Sequence, residues 1–226
     1  MQALPLADFE SLRPHLQFGE LVREAVLVEA GAPLTHVYLP QSGVISLRIS
    51  LSEGQTVEVA MVGRDSLFGA AAGFAGGVAL TDAVVLLLPG KTSILDAAHF
   101  RAAADRRAGF RTLLARHEQA LFAQAQQSAA CNASHPVEAR LARWLLHMRD
   151  RTGSESLPLT QEILAQMIGV QRNAVSLVAN ALQKAGILRY SRGHLEITSA
   201  EGLRETSCEC YQTVRAQHDR LFHAPD

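Results

Sequence analysis

Between Phe18 and about Gly90 apolar and polar positions alternate in short runs separated by turn residues. AVLVEAG ends at Gly31, and THVYLPQSG ends at Gly43. VISLRISLSEGQTVEVAMVG is two alternating runs joined at Ser52-Glu53-Gly54-Gln55, the pattern of a hairpin. TDAVVLLLPG adds a strand that closes at Pro89-Gly90. Short strands at this spacing predict a small antiparallel barrel or sandwich. From Ser93 the period becomes helical, first in ILDAAHFRAAADRRAGF and then in GFRTLLARHEQALFAQAQQSAAC, which has no proline or internal glycine between Phe110 and Cys131. In that long helix Phe110, Leu114, His117, Leu121, Gln124 and Ser128 recur at alternating intervals of four and three, a heptad seam. We read Phe110, Leu114, His117, Leu121 and Gln124 as a dimer interface; the alternative is one amphipathic helix packed on its own barrel.

A further helix opens at Pro136, a favoured first-turn residue, and PVEARLARWLLHMRDR places Val137, Leu141, Trp144, Leu145 and Met148 on one face. TGSESLP is a polar loop. TQEILAQMIGVQRNAVSLVANALQKAGIL then holds two short helices around Gly169, with Thr160 able to cap the first. Ile163, Leu164, Met167 and Ile168 face inward from the first helix, and Val175, Val178, Ala179 and Leu182 from the second. The opposite face of the second helix carries Gln171, Arg172, Asn173, Ser176, Leu177 and Asn180, with no carboxylate among them. It begins at a helix N-terminus, where the backbone dipole favours anions. Arginine pairs with guanine and asparagine with adenine by two hydrogen bonds each in the major groove. ILRYSRGHLEITS follows, a hairpin turning at Ser191-Arg192-Gly193 that fits a wing carrying Arg189 and Arg192 to phosphates. The last segment, AEGLRETSCECYQTVRAQHDRLF, reads as a single closing helix. Two short helices around a glycine also fit a structural hairpin with a solvated face; the wing, the capping Thr160 and a local basic bias favour DNA.

That bias is hidden in the average. The 226-residue chain has a net charge of -1, yet between Glu138 and Arg192 eight Lys and Arg stand against Glu138, Asp150, Glu155 and Glu162. Three cysteines, Cys131, Cys208 and Cys210, argue for a reducing compartment rather than a disulfide scaffold. MQALPLADFESLRPH lacks a basic region followed by an apolar core, and the longest apolar run, Gly73 to Pro89, is too short to span a bilayer, so a cytoplasmic protein is expected. No nucleophile elbow, P-loop or paired-carboxylate signature occurs, so no catalytic residue is assigned. His15, His36 and His99 show no metal spacing, and no metal or cofactor is expected. Cys208 and Cys210, two positions apart on one helix, would point about 200° apart, giving one core thiol and one exposed thiol. His117, a candidate for haem binding or pH sensing, reads more simply as a surface histidine.

Taken together, the chain resembles the Crp/Fnr family of bacterial transcription regulators over essentially its whole length. LTQEILAQMIGVQRNAVSLVANALQKAGIL matches the family's DNA-binding signature, and VEVAMVGRDSLFG resembles the glycine-rich turns of its sensor barrel. The resemblance implies a homodimer on a pseudo-palindromic operator. It places Arg172 on the arginine that reads a guanine. Asn173 stands where many members carry a cytosine-reading glutamate, and Leu177 where some carry a second contacting arginine. Members that bind cyclic AMP have a glutamate after the glycine matching Gly69 and an arginine before the residue matching Thr81; here these are Ala70 and Leu80. No Lys or Arg lies between Arg64 and Lys91, so a buried phosphate would depend on the amides of Gly69, Gly73, Gly76 and Gly77. Iron–sulfur members carry N-terminal cysteines, and none precedes Cys131.

The expected fold class is therefore α+β: an N-terminal antiparallel β-roll of the cyclic-nucleotide-binding jelly-roll kind (residues 1–105), a dimerisation helix (106–132), and a winged helix-turn-helix domain with a C-terminal helix (133–226). Thr160, Gln171, Arg172, Asn173, Ser176, Leu177, Asn180, Arg189 and Arg192 are assigned to DNA. Gly69, Ala70, Leu80 and Thr81 are assigned to an effector pocket that does not take cyclic AMP. The expected partners are double-stranded DNA, a second copy of the chain, RNA polymerase, and a small-molecule effector or none. The function expected is transcription regulation rather than catalysis. The alternatives are an effector-independent regulator with a scaffold barrel, or a cupin-like small-molecule-binding protein without DNA binding.

Overall fold

The computed structural model describes residues 6–74, 77–86 and 90–222. A short helix α1 (Leu6–Leu12) leads into strands β1 (Gln17–Leu21), β2 (Val26–Val28), β3 (His36–Pro40), β4 (Val44–Ser50), β5 (Thr56–Val62), β6 (Asp82–Leu86) and β7 (Gly90–Asp96). They form two antiparallel sheets, β1-β7-β3 and β2-β6-β4-β5, the β-roll expected from the alternation. β4 and β5 are the predicted hairpin; Gly54 takes φ +82 in its turn, where a side chain would be strained. Leu87, Leu88 and Pro89 of the strand run lie outside the described residues, as does Gly76.

One boundary differs. Ile94, Leu95 and Asp96 are not helical; they end β7, the middle strand of its sheet. Asp96 is the N-cap of α2 (Ala97–Arg106), its carboxylate accepting from the Ala98 N–H at 2.7 Å. Strand therefore passes into helix with no intervening loop, and the apolar period changes in mid-run.

Why the first four residues of β4 are buried follows from its two neighbours. Ile45 and Leu47 point into the barrel with Val37, Val62, Val85 and Leu95. Val44 on the other face joins Met61 and Leu86 in a second core with Leu141, Trp144, Leu145, Leu164 and Ile168 from the helical half. One sheet of the roll is thus covered on both faces, which requires near-continuous apolar runs.

Helix α3 (Ala108–Ser134) spans 27 residues, and α4 (Val137–Thr152) follows after His135-Pro136. Every residue from Arg140 to Met148 is buried, so α4 is a central helix with an apolar side and a basic side. Its basic side meets α3. Arg140 Nε donates to Asn132 Oδ1 (3.1 Å), Arg143 to Ser128 Oγ (3.5 Å), and Arg151 Nη2 to Gln124 Oε1 (3.2 Å). His147, between them, is held neutral well below its ordinary range by burial and then by the charges of Arg151, Arg143 and Arg215.

The remaining elements are β8 (Ser156–Leu157), α5 (Gln161–Ile168), α6 (Arg172–Lys184), β9 (Leu188–Ser191), β10 (His194–Ile197), α7 (Ala200–Thr206) and α8 (Cys210–Phe222). The closing segment is therefore two helices, not one. Thr206 Oγ1 bonds back to the Gly202 carbonyl at 2.7 Å and Ser207 Oγ to that of Arg204 at 2.8 Å, local bonds that compete with helix continuation. Among the described residues no helix is long and apolar enough to cross a membrane.

Candidate nucleic-acid interface

Thr160 caps α5, its hydroxyl accepting from the Ile163 N–H at 3.2 Å. Gly169 takes φ +63 and ends that helix; a Cβ there would sit 3.1 Å from Val57 of β5, so the tight turn also lies against the barrel. Val175, Ala179 and Leu182 anchor α6 in the core. That phase leaves Gln171, Arg172, Asn173, Leu177 and Asn180 exposed on one side, with Leu177 73% exposed. No carboxylate occurs between Glu162 and Glu196. The first-turn N–H groups of α6 have no side-chain cap from Gln171, leaving that end open to an anion.

Ser176 stands apart from this group. It is half-buried, and its hydroxyl donates to Gln161 Oε1 at 2.6 Å, so it ties α6 to α5 instead of pointing freely outward. In the wing, β9 and β10 pair from Leu188–Ile197 to Ser191–His194, and Arg192 (φ 47) and Gly193 (φ 79) form the two-residue turn. Arg192 is exposed at the tip. Arg189 is exposed too but pairs with Glu196 across the hairpin. Such a surface pair contributes little to stability.

The dimer seam assigned from the heptad pattern faces the wrong way. Phe110 and Leu114 are buried in the β-roll core at 1% exposure each, and Leu121 packs against it. His117 is buried as well, not a surface histidine: its Nε2 lies 2.7 Å from Ser66 Oγ and 3.2 Å from the Leu67 N–H. Gln124 and Ser128 receive the buried arginines of α4. The heptad is real but serves the protomer. The opposite face of α3 shows Ala115, Gln119, Phe122, Gln126, Ala129 and Ala133 exposed, again at intervals of four and three.

The four effector-pocket residues differ in their setting. Gly69 (φ +93) has no room for a Cβ beside the His36 carbonyl, Ala70 is buried, and Leu80 is 89% exposed. Thr81 is half-buried. Arg101, which the sequence pattern missed, reaches the glycine-rich turn from α2, and its Nε donates to the Ala72 carbonyl. A cavity of about 230 Å³ lies elsewhere, between β5, α3, α4 and α8, and is lined by Gln124, His147, Asp150 and Arg151 among others.

Neither thiol of the Cys208/Cys210 pair is exposed. Cys208 precedes α8, so the two do not diverge as on one helix. With Cys131 and His135 they form a cluster whose four donor atoms lie within 4.8 Å of one another. The sequence pattern assigned no metal ligands; the four residues are a group that could hold one ion. Its halves are 73 residues apart (His135 to Cys208) in the sequence, so only the fold shows it.

Residues 19–107 match the family model of the cyclic nucleotide-binding domain, and residues 139–206 that of the Crp-like helix-turn-helix domain. No curated protein sequence matches the chain. Among solved structures, FixK2 from Bradyrhizobium japonicum superposes with a TM-score of 0.73 at 16% identity, covering 85% of this chain and 98% of that one. A Crp/Fnr-family transcriptional regulator from Eubacterium rectale gives 0.70 at 15% identity, covering 91% and 95%. The c-di-GMP-responsive global regulator CLP of Xanthomonas campestris gives 0.68 at 15% identity, covering 86% and 100%. At these identities the likeness to solved structures is one of fold. Carrying the two family domains in this order, with the helix-turn-helix and wing in place, the chain belongs to the Crp/Fnr family of DNA-binding transcription regulators.

Proposed function

We propose that the protein is a cytoplasmic homodimer that reads a pseudo-palindromic operator through α6, with Arg192 and Arg189 on flanking phosphates. The carrying observation is the carboxylate-free, solvent-facing row Gln171, Arg172, Asn173, Leu177 and Asn180 at the open N-terminal end of α6. Residues 1–105 act as the sensor unit, residues 106–132 as the dimer helix, and residues 133–226 as the DNA-binding unit. RNA polymerase is the expected protein partner. In a dimer the two reading helices must stand about one DNA turn apart, ~34 Å. The exposed face of α3 supports the pairing, since Phe122 is 64% exposed there with small alanines on either side.

Selection from a random duplex pool gives the operator, and substitutions then test the reading. Arg172→Ala should cost roughly 1–3 kcal/mol of specific binding and relax preference at one guanine per half-site. Leu177→Ser should leave the melting temperature unchanged while weakening the same site. Thymine-to-uracil replacement in the operator should mimic that loss in the parent and add little in the variant, because only thymine offers a methyl in the major groove. If both variants bind the selected operator like the parent, α6 is not the reading helix.

The sensor unit supports a regulator that does not answer to cyclic AMP. Ala70 is buried where a ribose-binding carboxylate would stand, Leu80 faces solvent, and Arg101 already serves the Ala72 carbonyl. Titration calorimetry with cyclic AMP should show no heat of binding, and DNA affinity should not change. Micromolar binding would place a phosphate on the backbone amides of the glycine-rich turn and overturn this part of the reading.

A further inference from the structure

We propose that Cys131, His135, Cys208 and Cys210 bind one zinc ion that clamps the end of α3 to the start of α8. This does not rest on the DNA-binding reading. Cys131 lies in the last turn of α3 and His135 is its C-cap, one turn further on; Cys210 opens α8 and Cys208 lies two residues before it. The Cys131 and Cys208 sulfurs are 3.5 Å apart, and Cys210 Sγ lies 3.5 Å from His135 Nδ1. A disulfide needs ~2.05 Å. Tetrahedral zinc, with bonds of about 2.3 Å to sulfur and about 2.0 Å to nitrogen, sets its donors roughly 3.5–3.8 Å apart. All four donor atoms fall within 4.8 Å of one another, too compact for a cluster of two irons but suited to one ion.

The surroundings fit the same ion. His135 Nε2 faces Glu209 Oε1 at 3.3 Å. A ring N–H donated to that carboxylate leaves Nδ1 unprotonated and turned to the sulfurs, the usual outer support of a zinc-bound histidine. Gln127 Nε2 donates to Cys210 Sγ at 3.0 Å. Three thiolates, one imidazole and zinc carry one net negative charge. Arg143 and Arg140 both interact electrostatically with Cys131, and Arg143 Nε is buried without a hydrogen-bond partner. Three soft sulfurs and an imidazole with no open position select zinc over magnesium or calcium and mark a structural site. The ion would fix the His135-Pro136 joint, and with it the position of the DNA-binding unit on the long helix.

The full-length protein, reduced with a phosphine and loaded in a zinc buffer, should retain one zinc per chain after gel filtration, measured by mass spectrometry of the metal. Cobalt(II) in its place should give the visible absorption of tetrahedral thiolate ligation. Cys208→Ser and His135→Ala should each lower zinc affinity at least 100-fold, and Glu209→Gln by about 10-fold with unchanged stoichiometry. Zinc should raise the melting temperature of the parent and not of Cys208→Ser. Failure of the parent to retain zinc, or cobalt spectra without thiolate character, overturns the site, and neither measurement depends on a variant folding. Equal zinc retention in the parent and a folded Cys131→Ser, Cys208→Ser double variant overturns it as well.

Discussion

Phe122→Glu is expected to turn the proposed dimer into a monomer and to cut operator affinity by about 10²–10⁴-fold, the advantage that linking two half-site contacts confers. α3 has two heptad faces, and the one with Leu114 and His117 is occupied by its own barrel. The face with Ala115, Phe122 and Ala129 has no partner within the chain among the described residues, and Phe122 is its one large apolar side chain. Across a two-fold axis a glutamate there would meet its own copy in a contact otherwise made of alanine and glutamine, a like-charge pair. The protomer should not suffer, because the side chain is already 64% exposed. Leu114→Glu is the contrast: it buries a charge in the roll and should unfold the protein instead of splitting it. Light scattering and thermal melting separate the two outcomes. A Phe122→Glu protein that remains dimeric removes this face from the interface.

The same helix shows where the sequence is legible and where it is not. Its length, its start and its heptad period could all be read, because each is a local property. Which face turned inward could not. Gln124 and Ser128 look like the polar positions of a weak coiled coil, yet they are polar because Arg151 and Arg143 of α4 are buried against them. That pairing depends on two helices crossing, and no spacing in one helix encodes it. The solvent-facing side of α6 was legible for the opposite reason: Val175, Ala179 and Leu182 fix its phase, so the exposed residues follow from a single amphipathic pattern. That Ser176 is tied to α5 could not be read, because the partner Gln161 comes from a second helix. The strand at Gly90–Asp96 hid behind its own helix cap, Asp96, which joins the two elements without a loop. The thiol cluster hid behind the assumption that Cys208 and Cys210 share a helix.

Trp144→Phe should destabilise the protein by about 2–3 kcal/mol, more than its lost volume explains, because it strands a buried carboxylate. Glu58 on β5 is 6% exposed; its Oε1 accepts from Trp144 Nε1 at 2.7 Å and its Oε2 from Ser46 Oγ at 2.5 Å. Burial pushes its carboxyl above the usual range, against the pull of those two donors and of Arg48 and Arg151. A raised carboxyl contributes its full stability below the unfolded value, near 4.3, and loses it as pH rises through the folded value. Removing the Trp144 donor raises that folded value further. The cost of Trp144→Phe should therefore be larger at about pH 8 than at about pH 5. In a Glu58→Gln background the pH dependence of that cost should vanish, since the amide oxygen still accepts from Trp144 and nothing titrates. His147 charges in the opposite sense, losing stability as pH falls below its unfolded value, but it is present in all four proteins and cancels in the cycle. Urea unfolding of the four proteins at both pH values measures the coupling. Because Glu58 lies in the β-roll and Trp144 in the stretch that matches the helix-turn-helix domain, a coupling energy of about 1 kcal/mol or more would mean that β5 and α4 respond to each other. A cost of Trp144→Phe that is additive and independent of pH would mean that Glu58 does not couple β5 to α4.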